Sequence, residues 1–393
     1  MITESHDGVP GAGAFAGASP DLLRALDNYA PEAYDPTGVT RGIGLLREAG
    51  LVASAAQPAY QAEGHPSAEE AATAFGRQLS LLYAVGRGSL PLGRIFEGHV
   101  NALELVHRLG TPPQRARYRR EAQAGHLFGV WNTEAADGVH LRGDAGTGPG
   151  GALRVEGAKT FCSGALAVTR PVVSGQLWRD GRARGWQLYV AETEALGPDV
   201  VDDAFWTPLG MQASASHRVD FTGTTVLPAS LLGAPDAYHA QPHFSGGAVR
   251  FAAVQLGGAH ALYDHVRAFL RRLRRERDPY QVHRLGRMAI ALQGGRNWLR
   301  VARERALCAW GDPEEVVDYA NMTRTAILEA CERVLAETEM AVGARGLLQP
   351  PAIQRIYADL KMYLRQPAPD GALASVGHRA ADDQGLVIDS VTA

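Results

Sequence analysis

Along this chain the apolar residues change their spacing twice, and no uniform layer of helices or strands accommodates that. From Pro20 to about Ala124 they recur every three or four residues, the period that keeps one face of an α-helix dry. From Leu127 to about Leu232 they alternate in short runs separated by Gly/Asp clusters such as Gly143–Gly151, the period of half-buried strands. From Ala252 the helical period returns, with Leu256, Ala259, Leu262, Val266, Phe269 and Leu273 on one face. The order predicts an α+β chain of three units: helices over residues 1–125, a small β-barrel or sandwich over 126–235, and a helical bundle over 236–393.

Local signals sharpen the boundaries. Asp21–Tyr29 carries a leucine face at Leu22, Leu23 and Leu26. Ser67 with Glu70 reads as a capping box, and Gly110-Thr-Pro-Pro opens another helix with proline in its first turn. Strands are expected at Ala152–Phe161, Gly185–Ala191 and His217–Val226. A long helix is expected from Tyr280 to Trp310, its middle weakened at Gly294 and Gly295 by about 1 kcal/mol per glycine. Asp312-Pro-Glu-Glu caps the next helix, which Gly343 stops.

Composition narrows the function. Lys plus Arg is 39 and Asp plus Glu is 42, a net charge of −3, so nothing favours nucleic acid or an anionic membrane as partner. Cys162, Cys308 and Cys331 are odd in number and widely spaced, without C-x-x-C. A disulfide framework and a zinc ribbon are not expected, and a reducing cytoplasm fits. The N-terminus carries Glu4 and Asp7 where a secretory signal would carry Lys or Arg. The glycine loops of dinucleotide and nucleotide folds, G-x-S-x-G and H-E-x-x-H are absent.

Five segments in order carry a resemblance. They are Phe128-Gly-Val-Trp-Asn-Thr-Glu, Val155-Glu-Gly-Ala-Lys-Thr-Phe-Cys-Ser-Gly-Ala, Trp206-Thr-Pro-Leu-Gly-Met-Gln-Ala-Ser-Ala-Ser with Val226-Leu-Pro after it, Gly343-Ala-Arg-Gly, and Arg355-Ile-Tyr-Ala-Asp-Leu-Lys-Met-Tyr. In this order and spacing the chain resembles the acyl-CoA dehydrogenase-like flavoproteins, from about residue 20 to 375. The resemblance implies an N-terminal helical domain, a middle β-barrel and a C-terminal four-helix bundle, with FAD as cofactor and FMN as the alternative. It places Val130, Asn132 and Thr133 at the polar edge of the flavin ring. Phe161 stacks on the ring and Ser163 approaches N5, with Cys162 between them. Gly343 and Gly346 stand in the family's glycine segment, and one of Arg275 or Arg277 reaches the cofactor phosphates. An isoalloxazine ring needs such a flat wall and a hydrogen-bonding edge.

The proton-abstracting glutamate of the family dehydrogenases is missing. Pro367 replaces it in Leu364-Arg-Gln-Pro-Ala-Pro-Asp, and the other position used by some members reads Val249-Arg250. Neither can abstract a proton. Asp370 is a candidate base, or the turn aspartate of Pro-Asp-Gly. His99, in Gly93-Arg-Ile-Phe-Glu-Gly-His-Val, resembles the histidine of the family's reduced-flavin monooxygenase branch, where it would pair with Ser163. The first expectation is a dehydrogenase acting on the Cα–Cβ bond of an acyl thioester and passing electrons to an acceptor. The alternatives are a monooxygenase taking another small organic substrate and served by a flavin reductase, or an inactive member of the same fold. A homotetramer or homodimer is implied by resemblance, and no metal site is expected.

Overall fold

The computed structural model describes Ala25 and residues 36–55, 67–143, 151–305, 312–348 and 351–382. The helix expected at Asp21–Tyr29, and Cys308, Trp310 and Gly311, lie outside that set, Ala25 apart. The N-terminal helices are α1 (Pro36–Glu48), a single turn at Leu51–Ser54, α2 (Ala68–Gly88), α3 (Leu90–Leu109) and α4 (Pro112–Gln123). Ser67 caps α2 as expected: its hydroxyl accepts the Glu70 N–H at 3.2 Å and the Glu70 carboxylate accepts the Ser67 N–H at 2.8 Å. Thr111 opens α4 with the same reciprocal arrangement, using Gln114.

The middle of the chain forms ten short strands: β1 (Phe128–Trp131), β2 (His140–Gly143), β3 (Leu153–Glu156), β4 (Ala158–Cys162), β5 (Arg170–Arg179), β6 (Arg182–Val190), β7 (Val201–Asp202), β8 (His217–Asp220), β9 (Thr225–Val226) and β10 (Leu231–Leu232). Seven make one sheet in the order β10-β6-β5-β2-β3-β9, with β1 alongside β5, and β4-β8-β7 make another. The result is a curled half-barrel where a small barrel or sandwich was expected. Pairing is mostly antiparallel, but β1 and β2 both run parallel to β5. The single strand expected at Ala152–Phe161 is two, because Gly157 at φ +99° breaks the run and sends β4 into the second sheet. Trp131, Tyr189 and Phe221 fill the space inside, each at most 1% exposed, with Phe221 tilted or edge-on to the other two rings.

Five helices follow: α5 (Ala248–Arg272), α6 (Pro279–Arg305), α7 (Pro313–Leu348), α8 (Pro351–Tyr363) and α9 (Pro369–Ala381). A one-turn helix at His243–Gly246 precedes them. The apolar face read for α5 is buried at Leu256, Ala259, Leu262, Val266 and Phe269, although Leu273 just past its end is exposed. Asp312 caps α7 by accepting the N–H groups of Glu314 and Glu315 at 2.9 and 3.2 Å. The expected stop at Gly343 is a break inside α7, where φ is 58° and ψ −170° and one more helical stretch follows. Helices α2 and α5 approach backbone to backbone. A Cβ on Gly257 would lie 2.1 Å from the Tyr83 carbonyl oxygen, and one on Gly86 would lie 2.3 Å from that of Val254. Among the described residues no helix is long and apolar enough to cross a membrane.

Candidate active site

Where the half-barrel meets the helices, a cavity of about 550 Å³ opens between β1, β4, α3, α5, α7 and the segment after α8. Its β-side wall is Val130, Asn132, Thr133 and Phe161. Phe161 is held out rather than in. It is the exposed residue of an otherwise buried strand, 39% exposed, with φ at +54°. A non-glycine residue in that conformation is strained, and such strain persists only where neighbours impose it. Here the rings of Phe205 and Trp206 meet Phe161 edge-on at 5.5 and 5.8 Å, leaving a flat aromatic face.

The polar edge is fixed from behind. Lys159 is fully buried and its ammonium donates to the Asn132 carbonyl at 3.1 Å, to the Ser174 hydroxyl at 3.1 Å and to the Glu134 carboxylate. Ser174 in turn donates to Asn132 Oδ1 at 2.6 Å. Burial lowers the lysine's pKa, and Glu134 opposes that shift. The Thr-Glu of one segment and the Gly-x-Lys of the next are thus one joint. Another joins Trp206-Thr-Pro-Leu-Gly-Met to Arg355-Ile-Tyr-Ala-Asp: the Asp359 carboxylate accepts the Met211 N–H at 2.5 Å.

The helical wall is ionic. Arg94, Glu97, Asn101, Glu104 and Arg108 recur at three- and four-residue steps of α3 and line one side of the cavity. Arg250 of α5 reaches across to them. It donates to Glu104 at 2.6 Å and to Asn101 at 2.7 Å, and stands 3.6 Å from Glu97, which Arg94 also holds at 2.9 Å. Half-buried His243 lines the cavity too. Burial lowers its pKa, Arg108 lowers it further and Glu104 opposes them, so the ring is neutral at pH 7. Burial pushes the Tyr238 phenol up to about 12.

Of the residues singled out from sequence, Val130, Asn132, Thr133 and Phe161 come together here. The others do not. His99 is 0% exposed; its Nε2 donates to the Val52 carbonyl at 2.9 Å and its Nδ1 accepts the Phe128 N–H at 3.0 Å. Burial depresses it to about 4 against the pull of the Val52 bond. One nitrogen ties α3 to the turn at Leu51–Ser54 and the other ties it to the start of β1, so the ring has no free edge for catalysis. Ser163 is turned inward, accepting from Ser216, whose hydroxyl also bonds Ser214, at 2.9 and 2.7 Å. The expected His99–Ser163 pair therefore does not face the cavity. Cys162 points to the opposite side of β4 from Phe161 and is buried, which raises its thiol pKa. Arg275 is exposed and paired with Asp278 at 3.0 Å, Arg277 is exposed, and neither lines the cavity. Gly343 and Gly346 lie within α7, away from the lining. Asp370 is exposed in the first turn of α9, so Pro-Asp-Gly opens a helix rather than forming the turn expected, and the carboxylate does not line the cavity. Pro367 does line the cavity, and so does Arg250, whereas Val249 is fully buried beside it.

Comparison with known proteins agrees with this geometry. Residues 238–364 match the family model described as "Acyl-CoA dehydrogenase, C-terminal domain". A dibenzothiophene monooxygenase from Rhodococcus erythropolis is 26% identical over 324 residues, which cover 75% of this chain and 77% of that protein. FMN-bound TdsC from Paenibacillus sp. A11-2 superposes with a TM-score of 0.76 at 19% identity, over 92% of this chain and 95% of the other. Butyryl-CoA dehydrogenase from Megasphaera elsdenii superposes with a TM-score of 0.71 at 16% identity, over 91% and 96%. Residues 238–364 thus match the acyl-CoA dehydrogenase C-terminal domain in sequence, and the chain along most of its length has the acyl-CoA dehydrogenase-like fold.

Proposed function

We propose that the protein is a monooxygenase that uses reduced flavin and dioxygen on a small organic substrate. One observation carries the reading: among the described residues that line the cavity, each carboxylate is bound to arginine. Glu97 is held by Arg94 and Arg250, and Glu104 by Arg250. Their oxygens are taken up by guanidinium groups, and the two positions that carry the base in family dehydrogenases hold Pro367 and Val249. Among the described residues, no unengaged carboxylate stands here to remove an α-proton from an acyl thioester. Oxygen insertion needs none. The monooxygenase relatives, dibenzothiophene monooxygenase and TdsC with FMN, favour the same reading over the dehydrogenase first expected.

The cavity fits a flavin. Phe161 offers the flat wall, and Asn132, Thr133 and the backbone at Val130 offer the polar edge. When bound and reduced, flavin supplies the electrons that split dioxygen, one oxygen atom passing to substrate and one to water. Lys159 holds the polar edge in place through Asn132. His243, neutral in the cavity, is the group we assign to hold and return a proton at its ring nitrogen. A separate flavin reductase would supply the reduced cofactor, FMN or FAD. The same reading takes residues 1–125, 126–235 and 236–393 as three domains, the last the family's four-helix bundle, in a homo-oligomer; sedimentation checks the assembly.

The test is chemical. Purified protein is given photoreduced FMN, isotopically labelled dioxygen and indole-3-carboxylate. One labelled oxygen atom in the product supports the reading. Bleaching of bound flavin by an acyl-CoA under nitrogen, or no labelled product with any small aromatic probe, would overturn it.

A further inference from the structure

The positive charges of the cavity are matched unevenly. Arg94 and Arg250 have Glu97 and Glu104, and Arg365 has Glu332. Arg324 of α7 has no carboxylate among the described residues. Its guanidinium lies over the Phe251 ring, 5.0 Å from the centroid, and donates to the Pro367 carbonyl. A guanidinium carries five N–H donors in a planar fork, so donors remain for something else. It lines the cavity and is only partly exposed. Removal from water disfavours the charge, lowering the group's pKa to about 10 with no neighbouring acid to offset it. A cation held this way, stacked on an aromatic ring and facing an enclosed space, is the arrangement that receives an anion.

Its place in the chain adds to this. Arg324 grips the segment in which family dehydrogenases carry their carboxylate, now Pro367. That segment offers the cation a backbone carbonyl and no carboxylate, so a ligand is left to balance the charge.

We propose that the substrate is a small organic acid, whose carboxylate or sulfonate is held by Arg324 within the cavity. This rests on the monooxygenase reading for calling the ligand a substrate; the anion site has a readout of its own. A flavin phosphate presents similar chemistry, and the test separates the two.

Isothermal titration of the purified full chain compares indole-3-carboxylate with indole-3-carboxamide, which have nearly the same shape and differ in charge. The carboxylate binds at least about tenfold more tightly. Arg324→Gln removes that preference, and Arg324→Lys keeps part of it, since a point charge remains without the fork. Thermal melting confirms that both variants fold; if Arg324→Gln does not, the comparison of Arg324→Lys with the unmodified chain decides, and an undiminished preference counts against the fork. Equal affinities, no binding of either probe, or a preference that survives Arg324→Gln would overturn the proposal. So would a variant that loses affinity for FMN but not for riboflavin, because Arg324 would then serve the cofactor's phosphate. If the charge preference holds while no flavin binds, the anion site stands and the monooxygenase reading fails.

Discussion

Lys159 shows how much of the site depends on a residue that lines none of it. Its ammonium is buried and is surrounded by the Asn132 carbonyl, Ser174 and Glu134. Lys159→Met keeps the apolar stem but leaves Glu134 without its partner. Removing one member of a buried pair costs roughly 3–5 kcal/mol; Glu134 is 25% exposed, so about 2–3 kcal/mol is expected in urea unfolding, with weakened FMN binding. His243 is argued from the cavity itself. His243→Gln should lower the oxygenation rate roughly 100-fold while FMN affinity and melting temperature stay put, and an unchanged rate would remove it from the chemistry. Asp359 gives a prediction in pH. Burial raises its carboxyl to about 6, against the Met211 N–H and Arg355, which pull it down. An unfolded aspartate titrates near ~3.9, so the folded state holds this proton more tightly. The resulting contribution is fully present below about pH 4 and is lost as pH rises through about 6. Asp359→Asn keeps an acceptor for Met211 and escapes that loss. The variant should gain up to about 3 kcal/mol on the unmodified chain between about pH 4 and pH 7; parallel stability curves would contradict this.

Elements differ in how openly the chain declares them. Helix starts were legible where a side chain makes the cap, as at Ser67 and Asp312, because capping needs only residues three apart, and where proline sits in the first turn, as at Pro112. The face of α5 was legible in its second half, where its neighbours bury Leu262, Val266 and Phe269 and leave His265 and Ala268 exposed; the first half is buried all round. Strand β5, the longest, was not anticipated. Its run Arg170–Arg179 is buried on both faces over its first half and so lacks alternation. The ionic stripe of α3 was visible in the spacing of Arg94, Glu97, Asn101, Glu104 and Arg108. A charged stripe ordinarily faces water, and only Arg250, more than a hundred residues later, turns this one inward. The two glycines of α6 were read as weakness, yet a Cβ on Gly295 would meet the Leu256 side chain at 2.7 Å, so one of them is a packing requirement. The tighter contact is Gly257 against the Tyr83 carbonyl. Gly257→Ala should separate α2 from α5 and cost roughly 1–3 kcal/mol, whereas Gly286→Ala, on open surface, should be neutral or stabilising by up to about 1 kcal/mol. Urea unfolding of the two variants checks the contrast.

For the whole molecule, the motif segments read from sequence are mostly joints of the scaffold. Lys159 with Glu134, and Asp359 with Met211, bind segments far apart in the chain and so fix where the half-barrel meets the helices. That made the fold legible from short matches. The site was legible only around β1 and β4, through the resemblance carried by those two segments, and there Phe161 came through. His99 and Ser163 did not, because a helix or turn residue can face the cavity or the core, and packing decides which. Arg324, Arg250 and His243 come from separate elements that only the folded chain brings together, so no local pattern announces them.

The central claim is that a flavin ring lies against Phe161. Titrating FMN with the purified protein and following flavin fluorescence tests it most directly. Saturable quenching that Phe161→Ala weakens at least about tenfold, with Phe161→Trp retaining it, is the predicted result. No quenching at any protein concentration, or quenching indifferent to Phe161→Ala in a variant that melts normally, would contradict the account.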